Sequence, residues 1–361
     1  MLNNFRFLTS GESHGKCLNG IIDGIPAGFE IDLNFINDEL KRRQGGWGRG
    51  GRMKIETDTV EVKSGIRFGK TTGAPICLEI VNKDFENWKT IMSVEKIDIQ
   101  VEKTFTKPRP GHADFAGAIK YDLKDLRDIL ERSSARKTAM DVAIGAIAKQ
   151  ILKEFDINCS SKIISVGGES EESKIKEKIE LAQNQGDTLG GKFEVVFKNL
   201  PVGLGSHVQW DRKLDGLISQ AVMSIPAVKA VEIGLGSACT DAFGSEVHDE
   251  IFIENEKYLR KTNNAGGLEG GMTNGADLIV KAVMKPIPTL KKPLSTIDFK
   301  DITQSEAHFE RSDVCAVSAC AVVAEAMIAC VLADAFLDKF GKDNIAEIKN
   351  CYLNRNYSNR I

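Results

Sequence analysis

The sequence has little of several features that mark particular classes of protein. Its 48 basic and 51 acidic residues leave a net charge of −3, which excludes a generally basic nucleic-acid coat and an acidic solvating tail. Aromatic residues make up only 7% of the chain, so few side chains are available to stack on bases. No CxxC, HExxH or other cluster of histidines and cysteines occurs, and we therefore predict no metal site.

Signals for a membrane or for secretion are also lacking. There is no run of roughly 18 or more uncharged apolar residues, and the first residues have neither the basic segment nor the apolar run of a signal peptide. The eight cysteines lie mostly in apolar runs, where a free thiol packs as a small hydrophobic side chain. We expect a reduced, soluble, cytoplasmic protein with no membrane partner.

Glycine is the abundant residue, with 33 glycines against nine prolines. So much glycine without a collagen repeat indicates tightly bent backbone, often around a ligand. The apolar content of 42% is enough for a sizeable core, and no Pro-rich, Ser-rich or highly charged linker divides the chain. We therefore predict one continuous domain over residues 1–361.

Hydrophobic patterning predicts an α+β fold. Alternation of apolar and polar residues indicates strands at 59–66, 74–82 and 192–199. Asp32 is a candidate N-cap for an amphipathic helix, and two long apolar helices are expected at 135–155 and 317–340. Because these two helices are apolar around most of their circumference, they should lie buried between antiparallel sheets.

Three weak similarities recur at nearly the same sequence offset. They pair Pro26 with Pro201 in P-x-G turns, 60–62 with 231–233 in Val-Glu strands, and 131–133 with 310–312 in Glu-Arg-Ser segments before the long helices. An internal two-fold duplication, with halves 1–165 and 190–340, explains all three. Coincidence in a sequence rich in Gly and Ala is the alternative.

Two of the five histidines lie in loops of small residues, His14 in GESHG and His112 in RPGHAD. A histidine flanked by glycine is not core filler, and the ordinary imidazole pKa of about 6.5 suits proton transfer. An exposed loop histidine is the alternative interpretation for both. The histidines at 207, 248 and 308 lie in polar segments and are expected at the surface.

A basic, glycine-rich loop follows the first predicted helix. Residues 41–54 contain six basic residues, five glycines and no acid, and guanidinium groups match carboxylates and phosphates. The loop could bind single-stranded nucleic acid or a small polyanion, or serve only the fold. The near-neutral net charge and the single Trp47 favour the small polyanion.

Two further segments are candidates for ligand binding. Ser133, Ser134 and Arg136 open the first long helix, where free amides attract phosphate, although an ordinary helix cap explains the same residues. Residues 263–275 contain five glycines, a density at which we expect neither helix nor strand.

Eight ordered motifs together carry a resemblance to a known family. They are GESHG (11–15), RMKIETDTVEVKSGI with TTGAPI (52–66, 71–76), RPGHAD (109–114), ERSSAR (131–136), AVKAVEIG (227–234), GGLEGGMTNG (266–275), KPIPT (285–289) and RSD-VC (311–315). With these motifs the chain resembles the chorismate synthase family, from about residue 7 to about residue 340.

The resemblance implies a fold, a reaction and a cofactor. The family has a β-α-β sandwich, with central helices between antiparallel sheets, and assembles as a homotetramer. Its members are carbon–oxygen lyases that form chorismate from 5-enolpyruvylshikimate 3-phosphate, by anti 1,4-elimination of phosphate and a ring hydrogen, on the shikimate pathway to aromatic amino acids. They require reduced FMN without net redox change, since the flavin is thought to donate an electron transiently.

No flavin-reductase segment is visible in the sequence. We therefore expect an external flavin reductase as a partner, with NADPH only as an indirect reductant. A phosphate lyase that works without flavin is the alternative function.

The resemblance also assigns roles to residues. His14 is similar to the acid that protonates the departing phosphate, His112 to the partner of flavin N1/O2, and Asp313 to the base that takes the substrate proton by way of flavin N5. Substrate contacts are implied for Arg43, Arg49, Ser134 and Arg136. FMN contacts are implied for Arg132, Ser133, Ser134, Pro226, Ala227, Gly270, Lys285, Pro286, Ile287, Pro288, Thr289 and Arg311.

The chain departs from the family pattern at several positions. Lys137 and Asp141 reverse the charges usual after ERSSAR, and such a swap should preserve the local pairing. Ser312 and Val314 replace the His and Pro that usually flank Asp313, which bears on how Asp313 is held. Pro226 replaces an Asn, so a side-chain hydrogen bond to flavin is missing there.

Overall fold

The computed structural model describes residues 2–50, 57–96, 104–255, 257–307, 309 and 313–354. The strands are β1 Arg6–Ser10, β2 Cys17–Asp23, β3 Glu61–Ser64, β4 Ile66–Arg67, β5 Lys70–Thr71, β6 Ile76–Val81, β7 Asn158–Val166, β8 Gly191–Lys198, β9 Val228–Ile233, β10 Ile251–Glu254, β11 Lys257–Arg260, β12 Leu268–Glu269, β13 Met272–Thr273, β14 Leu278–Met284, β15 Ser295–Asp298 and β16 Thr303–Glu306. The helices are α1 Leu33–Gln44, α2 Phe85–Trp88, α3 Asp114–Tyr121, α4 Arg127–Ser133, α5 Thr138–Lys153, α6 Glu172–Gln185, α7 Leu214–Met223, α8 Gly244–Val247, α9 Val317–Phe340 and α10 Ile345–Asn354.

Two four-stranded antiparallel sheets form the outer layers. The first has the order β1-β2-β6-β3 and the second the order β7-β8-β14-β9. In β6 the alternate residues Ile76, Leu78 and Ile80 are fully buried, as expected for a strand with one face on a core. The three predicted strands are confirmed as β3, β6 and β8.

Helices α5 and α9 lie between the two sheets. Helix α5 packs against β2 of the first sheet, and α9 against β7 and β8 of the second. Their backbones approach so closely that a Cβ on Gly145 of α5 would lie 2.3 Å from the Cβ of Ala326. The predicted α+β class and β-α-β sandwich are confirmed, and the long helices are central as expected.

Helix α9 has the length and apolar composition of a membrane span. However, 89% of its most apolar window is buried inside the fold. The apolar surface of α9 is therefore buried against α5 and the second sheet.

The two sheets share one topology, since in each the strand order is first, second, fourth, third along the chain. In each half a helix follows the second strand and a long helix follows the fourth. Thr71 donates its hydroxyl to the carbonyl of Pro26 (2.5 Å), and Thr273 donates to the carbonyl of Pro201 (2.6 Å). These matched contacts support duplication over coincidence. The single domain and the halves 1–165 and 190–340 stay predictions, and residues 310–312 lie outside the described part of the chain.

Helix α1 is fixed at its start and along its buried face. Asp32 caps it by accepting from the backbone N–H of Asn34 at 2.8 Å, as predicted. Further along, four charged side chains join α1 to α5 and α9 in what we call the core cluster: Glu39, Arg42, Lys149 and Glu325. This cluster holds the last turn of α1, and with it Arg43, in a defined position.

The glycine-rich segment 263–275 differs from the expectation. It forms a tight hairpin in which Leu268 pairs with Thr273 and Glu269 with Met272. Gly270 and Gly271 make the turn with positive φ angles of 60° and 87°. The prediction of no strand here was wrong, because two-residue strands can flank a glycine turn without breaking its geometry.

Candidate active site

One cavity of about 990 Å³ collects most of the residues singled out in the sequence. Its walls come from both halves of the chain. The predicted site residues that line it are His14, Arg43, Arg49, His112, Ser133, Ser134, Arg136, Pro226, Ala227, Lys285, Ile287, Pro288, Thr289 and Asp313. Within the described ranges, no group of three His, Cys, Asp or Glu side chains could hold a metal ion.

His14 lies in the loop between β1 and β2 and is only 7% exposed. Its Nδ1 lies 2.9 Å from Oε1 of Glu131, and its backbone N–H donates to Oε2 of the same carboxylate at 2.7 Å. The imidazole stacks on Trp88, with ring centroids 3.8 Å apart. Burial alone would raise the pKa of Glu131, but the hydrogen bonds and charge of His14 together with the charge of Arg127 outweigh it, and the pKa lies below its ordinary value.

His112 also contacts a buried carboxylate. Its Nδ1 lies 2.5 Å from Oδ1 of Asp114, at the start of α3. Burial alone would raise the pKa of Asp114, but hydrogen bonds from His112 and Arg109 lower it to about 2. Arg109 also donates to the hydroxyl of Thr289 at 2.9 Å, which ties the His112 loop to the second half of the chain.

Two arginines share one buried carboxylate at the junction of α4 and α5. Arg136 donates to Asp58 at 2.6 Å, and the guanidinium of Arg43 lies 4.0 Å from the same carboxylate. Arg43 also donates to the hydroxyl of Thr138 and the carbonyl of Ala135, both at 2.9 Å. We call Arg43, Arg136 and Asp58 the cavity cluster, since both guanidinium groups border the cavity.

Asp313 lies against the basic loop that follows α1. It forms an ion pair with Arg49 at 3.0 Å and accepts from the backbone N–H of Gly50 at 2.6 Å. Gly48 permits this approach, because it has a φ of 77° and a Cβ there would lie 3.0 Å from Cys315. Asp313 is thus held from the basic loop, at the position where the flanking residues depart from the family pattern.

The second half supplies an extended wall. The backbone N–H of Lys285 donates to the carbonyl of Ala227 (2.9 Å), and its ammonium donates to the carbonyl of Gly111 (2.5 Å). Burial and the charge of Lys229 lower the pKa of Lys285. These bonds join the 285–289 and 226–227 segments to the His112 loop.

Three of the predicted cofactor residues that the structure describes are not among the residues lining the cavity. Arg132 turns onto β1, where it donates to the carbonyls of Gly11 at 3.0 Å and Thr9 at 2.8 Å, because successive helical residues face different directions. Gly270 lies in the turn of the β12–β13 hairpin, and Pro286 is not among the lining residues. Arg311 lies outside the described residues. Their contacts with flavin stay predictions.

The charge reversal after ERSSAR preserves a pair, as expected. Lys137 contacts Asp141 one turn later, with 2.9 Å between Nζ and Oδ2. Lys137 also lines the cavity. The swap therefore changes which partner is basic without removing the ion pair.

Sequence reasoning missed several residues that hold the site together. They are Ser13, Asp58, Trp88, Arg109, Asp114 and Glu131. All except Trp88 stand within or next to the quoted motifs, so the motifs contained a signal for them. Trp88 had no such signal, because its contact with His14 arises only in the folded chain.

Cationic side chains, serine hydroxyls and two carboxylate-bound histidines line one large cavity, an arrangement of the kind found in enzyme active sites and suited to acid–base chemistry on a small anion. The sequence model of the family described as chorismate synthase matches residues 5–337. The chorismate synthase of Thermoanaerobacter pseudethanolicus is 57% identical over 348 residues, covering 96% of this chain and 97% of the relative. The chorismate synthase of Aquifex aeolicus is 48% identical and covers 100% and 99% of the two chains.

A solved crystal structure of chorismate synthase superposes with a TM-score of 0.80, at 40% identity, over 99% of this chain and 100% of that chain. The chain therefore belongs to the chorismate synthase family, and it is an enzyme.

Proposed function

We propose that this enzyme is a lyase that converts 5-enolpyruvylshikimate 3-phosphate to chorismate by anti 1,4-elimination of phosphate, with reduced FMN as cofactor. The reaction belongs to the shikimate pathway to aromatic amino acids, and we expect it in the cytoplasm. The observation that carries the proposal is the meeting of His14 with Arg43 and Arg136 in one cavity that also contains Asp313.

The cavity cluster suits a ligand that carries both a phosphate group and a carboxylate group. Guanidinium groups match the geometry of phosphate and carboxylate oxygens, and a partly enclosed wall strengthens their attraction for an anion. The Ser134 hydroxyl, which donates to Ser13 at 3.1 Å, adds a polar contact beside them. We assign substrate binding to Arg43, Arg49, Ser134 and Arg136.

We assign proton transfer to His14 and Asp313, and a position beside the flavin to His112. His14 gives a proton to the departing phosphate, which leaves more readily once protonated. We assign to Asp313 the proton that the ring loses, and its ion pair with Arg49, a proposed substrate contact, supports this assignment. His112 is assigned to the flavin side of the cavity, where Asp114 fixes its ring through Nδ1.

The residues present fit FMN. The cavity of about 990 Å³ is large enough for a second ligand beside a small substrate, and ordinary ligand pockets measure roughly 300–1,000 Å³. Its extended 285–289 wall and the ammonium of Lys285 suit a flat, phosphate-bearing molecule. When bound, reduced FMN supplies an electron transiently without net redox change.

An anaerobic assay with and without chemically reduced FMN tests the proposal. We expect chorismate and phosphate to form in equal amounts only when reduced flavin is present. Phosphate release that is independent of flavin would instead favour the alternative, a phosphate lyase that works without flavin. No turnover under either condition would reject both functions.

Replacing each loop histidine tests the residue assignments. We expect His14→Ala and His112→Ala each to slow turnover by about 10²–10⁴-fold, the usual contribution of general acid–base catalysis. FMN binding, measured by isothermal titration, should largely survive in both variants. Near-normal turnover in both would refute the roles of His14 and His112.

The source of electrons and the assembly are further parts of the proposal. We propose a homotetramer that depends on an external flavin reductase, with NADPH only as indirect reductant, and no nucleic-acid partner. Chorismate formation by the pure protein in air, with NADPH and oxidised FMN alone, would contradict the need for a reductase. Light scattering of the purified protein gives its subunit number.

A further inference from the structure

We propose that Glu131 is a positioning residue for His14, holding the imidazole so that Nε2 is the nitrogen that exchanges a proton with the substrate. This proposal rests on the proposed function in one respect, because that function identifies the substrate phosphate as the group that exchanges a proton with His14. The contact between Glu131 and His14 stands independently of that function.

Glu131 binds His14 at two points at once. One carboxylate oxygen lies 2.9 Å from Nδ1, and the other accepts from the backbone N–H of His14 at 2.7 Å. Glu131 is 2% exposed and His14 is 7% exposed, so water competes little for these bonds. The backbone of Ser13 also donates to the carbonyl of Glu131 at 2.9 Å. The loop and the ring are therefore fixed by one residue.

Trp88 and Arg127 also contact the His14–Glu131 pair. Trp88 stacks on the imidazole with 25° between the ring planes, and donates its indole N–H to Asp84 at 3.1 Å. The guanidinium of Arg127 lies 5.2 Å from the Trp88 ring centroid and donates to Glu131 at 3.1 Å. The ring of His14 is thus constrained at its face by Trp88 and at Nδ1 by Glu131.

This arrangement defines the path of the proton. An ionised Glu131 accepts from Nδ1–H, which assigns Nε2 to the exchange with a ligand in the cavity that His14 lines. When the carbon–oxygen bond of the substrate breaks, its electron pair stays with the phosphate oxygen, and the proton leaves Nε2 for a phosphate oxygen. His14 is left neutral, with its remaining proton on Nδ1 toward Glu131.

The substitution Glu131→Gln is informative because glutamine has one acceptor oxygen. That oxygen can accept from the backbone N–H or from Nδ1–H of His14, but not with the two-oxygen geometry of the carboxylate. If it takes the backbone N–H, the amide NH₂ faces Nδ1 and favours the tautomer with the proton on Nε2. A wrong tautomer and a lost charge should both lower turnover, by about 10²-fold or more.

Trp88 supplies a readout that does not depend on activity. A protonated imidazole quenches a stacked indole, so Trp88 emission should rise with pH as His14 loses its proton. Trp47→Phe and Trp210→Phe leave Trp88 as the single tryptophan. Among the described residues, charged groups that contact the pair include Glu131 and Arg127 from α4 and Asp84 beside α2, while Glu12 is exposed two residues before His14.

In this background we expect Glu131→Gln to move the emission midpoint to lower pH, because a carboxylate 2.9 Å from an imidazole nitrogen favours the cation. Glu12→Gln, the same substitution at an exposed position of the same loop, should leave the midpoint in place. His14→Gln should abolish the transition, which assigns it to His14. An unchanged midpoint in Glu131→Gln would overturn the inference.

A measurement on the unsubstituted protein covers the case in which Glu131→Gln does not fold. Nitrogen-15 spectra of labelled histidine, assigned with His14→Gln, should show neutral His14 protonated on Nδ1, and protonation on Nε2 would contradict the inference. These readouts separate the two levels of the argument. Failure of the wild type to form chorismate would reject the proposed function and leave the titration intact. A normal wild-type enzyme with the wrong tautomer would reject only the role of Glu131.

Discussion

Arg42 and Arg43 are neighbours in α1, yet they belong to two different charged clusters. Arg42 donates to Glu325 of α9 at 2.8 Å, within the core cluster between the helices. Arg43 approaches Asp58 in the cavity cluster and borders the cavity. One helical position turns a side chain by about 100°, and this rotation separates a group that joins helices together from a group that borders the cavity.

The comparison teaches that residue type alone does not assign a role to a buried charge. In the core cluster, Glu325 is fully buried and Lys149 is 5% exposed, and hydrogen bonds join the two. In the cavity cluster the arginines are equally buried but line an open space. Disrupting the core cluster should lower the stability of the protein, whereas disrupting the cavity cluster should weaken substrate binding.

The largest expected effect is on stability, in Lys149→Met. Removing this ammonium leaves Glu39 and Glu325 in the helical core with one cation fewer, and breaking a buried pair costs about 3–5 kcal/mol. Urea unfolding measures the change. Lys153→Met, one turn later on the exposed side of α5, is the matched control and should change stability by less than about 1 kcal/mol. Equal effects of the two substitutions would remove the distinction between the clusters.

The pH dependence of stability gives the next effect. Burial alone would raise the pKa of Glu325, but the hydrogen bond from Arg42 and the charge of Lys149 lower it to about 2. The unfolded chain has a glutamate pKa of about 4.3, so the stability from this group is present above that value and is lost as pH falls toward 2.

The full contribution is about 3 kcal/mol for a difference of roughly two pKa units. Unfolding free energies measured from pH 5 downward should fall less steeply in Glu325→Gln than in the wild type. Glu61→Gln, at an exposed ion pair with Lys63, should keep the wild-type slope. Identical slopes in all three proteins would show that Glu325 takes no part in acid unfolding.

In the cavity cluster, we expect Arg136→Met to affect catalysis more than stability. Loss of this guanidinium should lower kcat/KM for the anionic substrate by about 100-fold, or roughly 2.7 kcal/mol, mainly through KM. Stability should change less than in Lys149→Met, because Arg43 still lies 4.0 Å from Asp58. Arg6→Met, at an exposed position, is the control. A large loss of stability with normal KM would make Arg136 a core residue.

Local patterns predicted the elements well, because the information for them is local. Alternation of Ile76, Leu78 and Ile80 identified β6, and Asp32 marked the start of α1. The motifs located His14 and other lining residues, and the basic segment 41–54 located Arg43. The core cluster could not be predicted, since Lys149 meets Glu39 and Glu325 from positions 110 and 176 residues away. The stacking of Trp88 on His14 is equally a product of tertiary folding.

The smallest expected effect sharpens the comparison within the cavity cluster itself. Asp58→Asn keeps the size of the side chain but removes the negative charge beside Arg43 and Arg136. Both guanidinium groups should then attract an anion more strongly, and KM for the substrate should fall about 3–5-fold, roughly 1 kcal/mol. Stability should fall by less than in Lys149→Met, since the amide oxygen can still accept from Arg136 and both arginines border the open cavity. The matched substitution Asp23→Asn, at an exposed pair with Arg6, should change neither quantity. If KM instead rises in Asp58→Asn, the carboxylate serves to orient the two arginines, and orientation outweighs charge at this wall of the cavity.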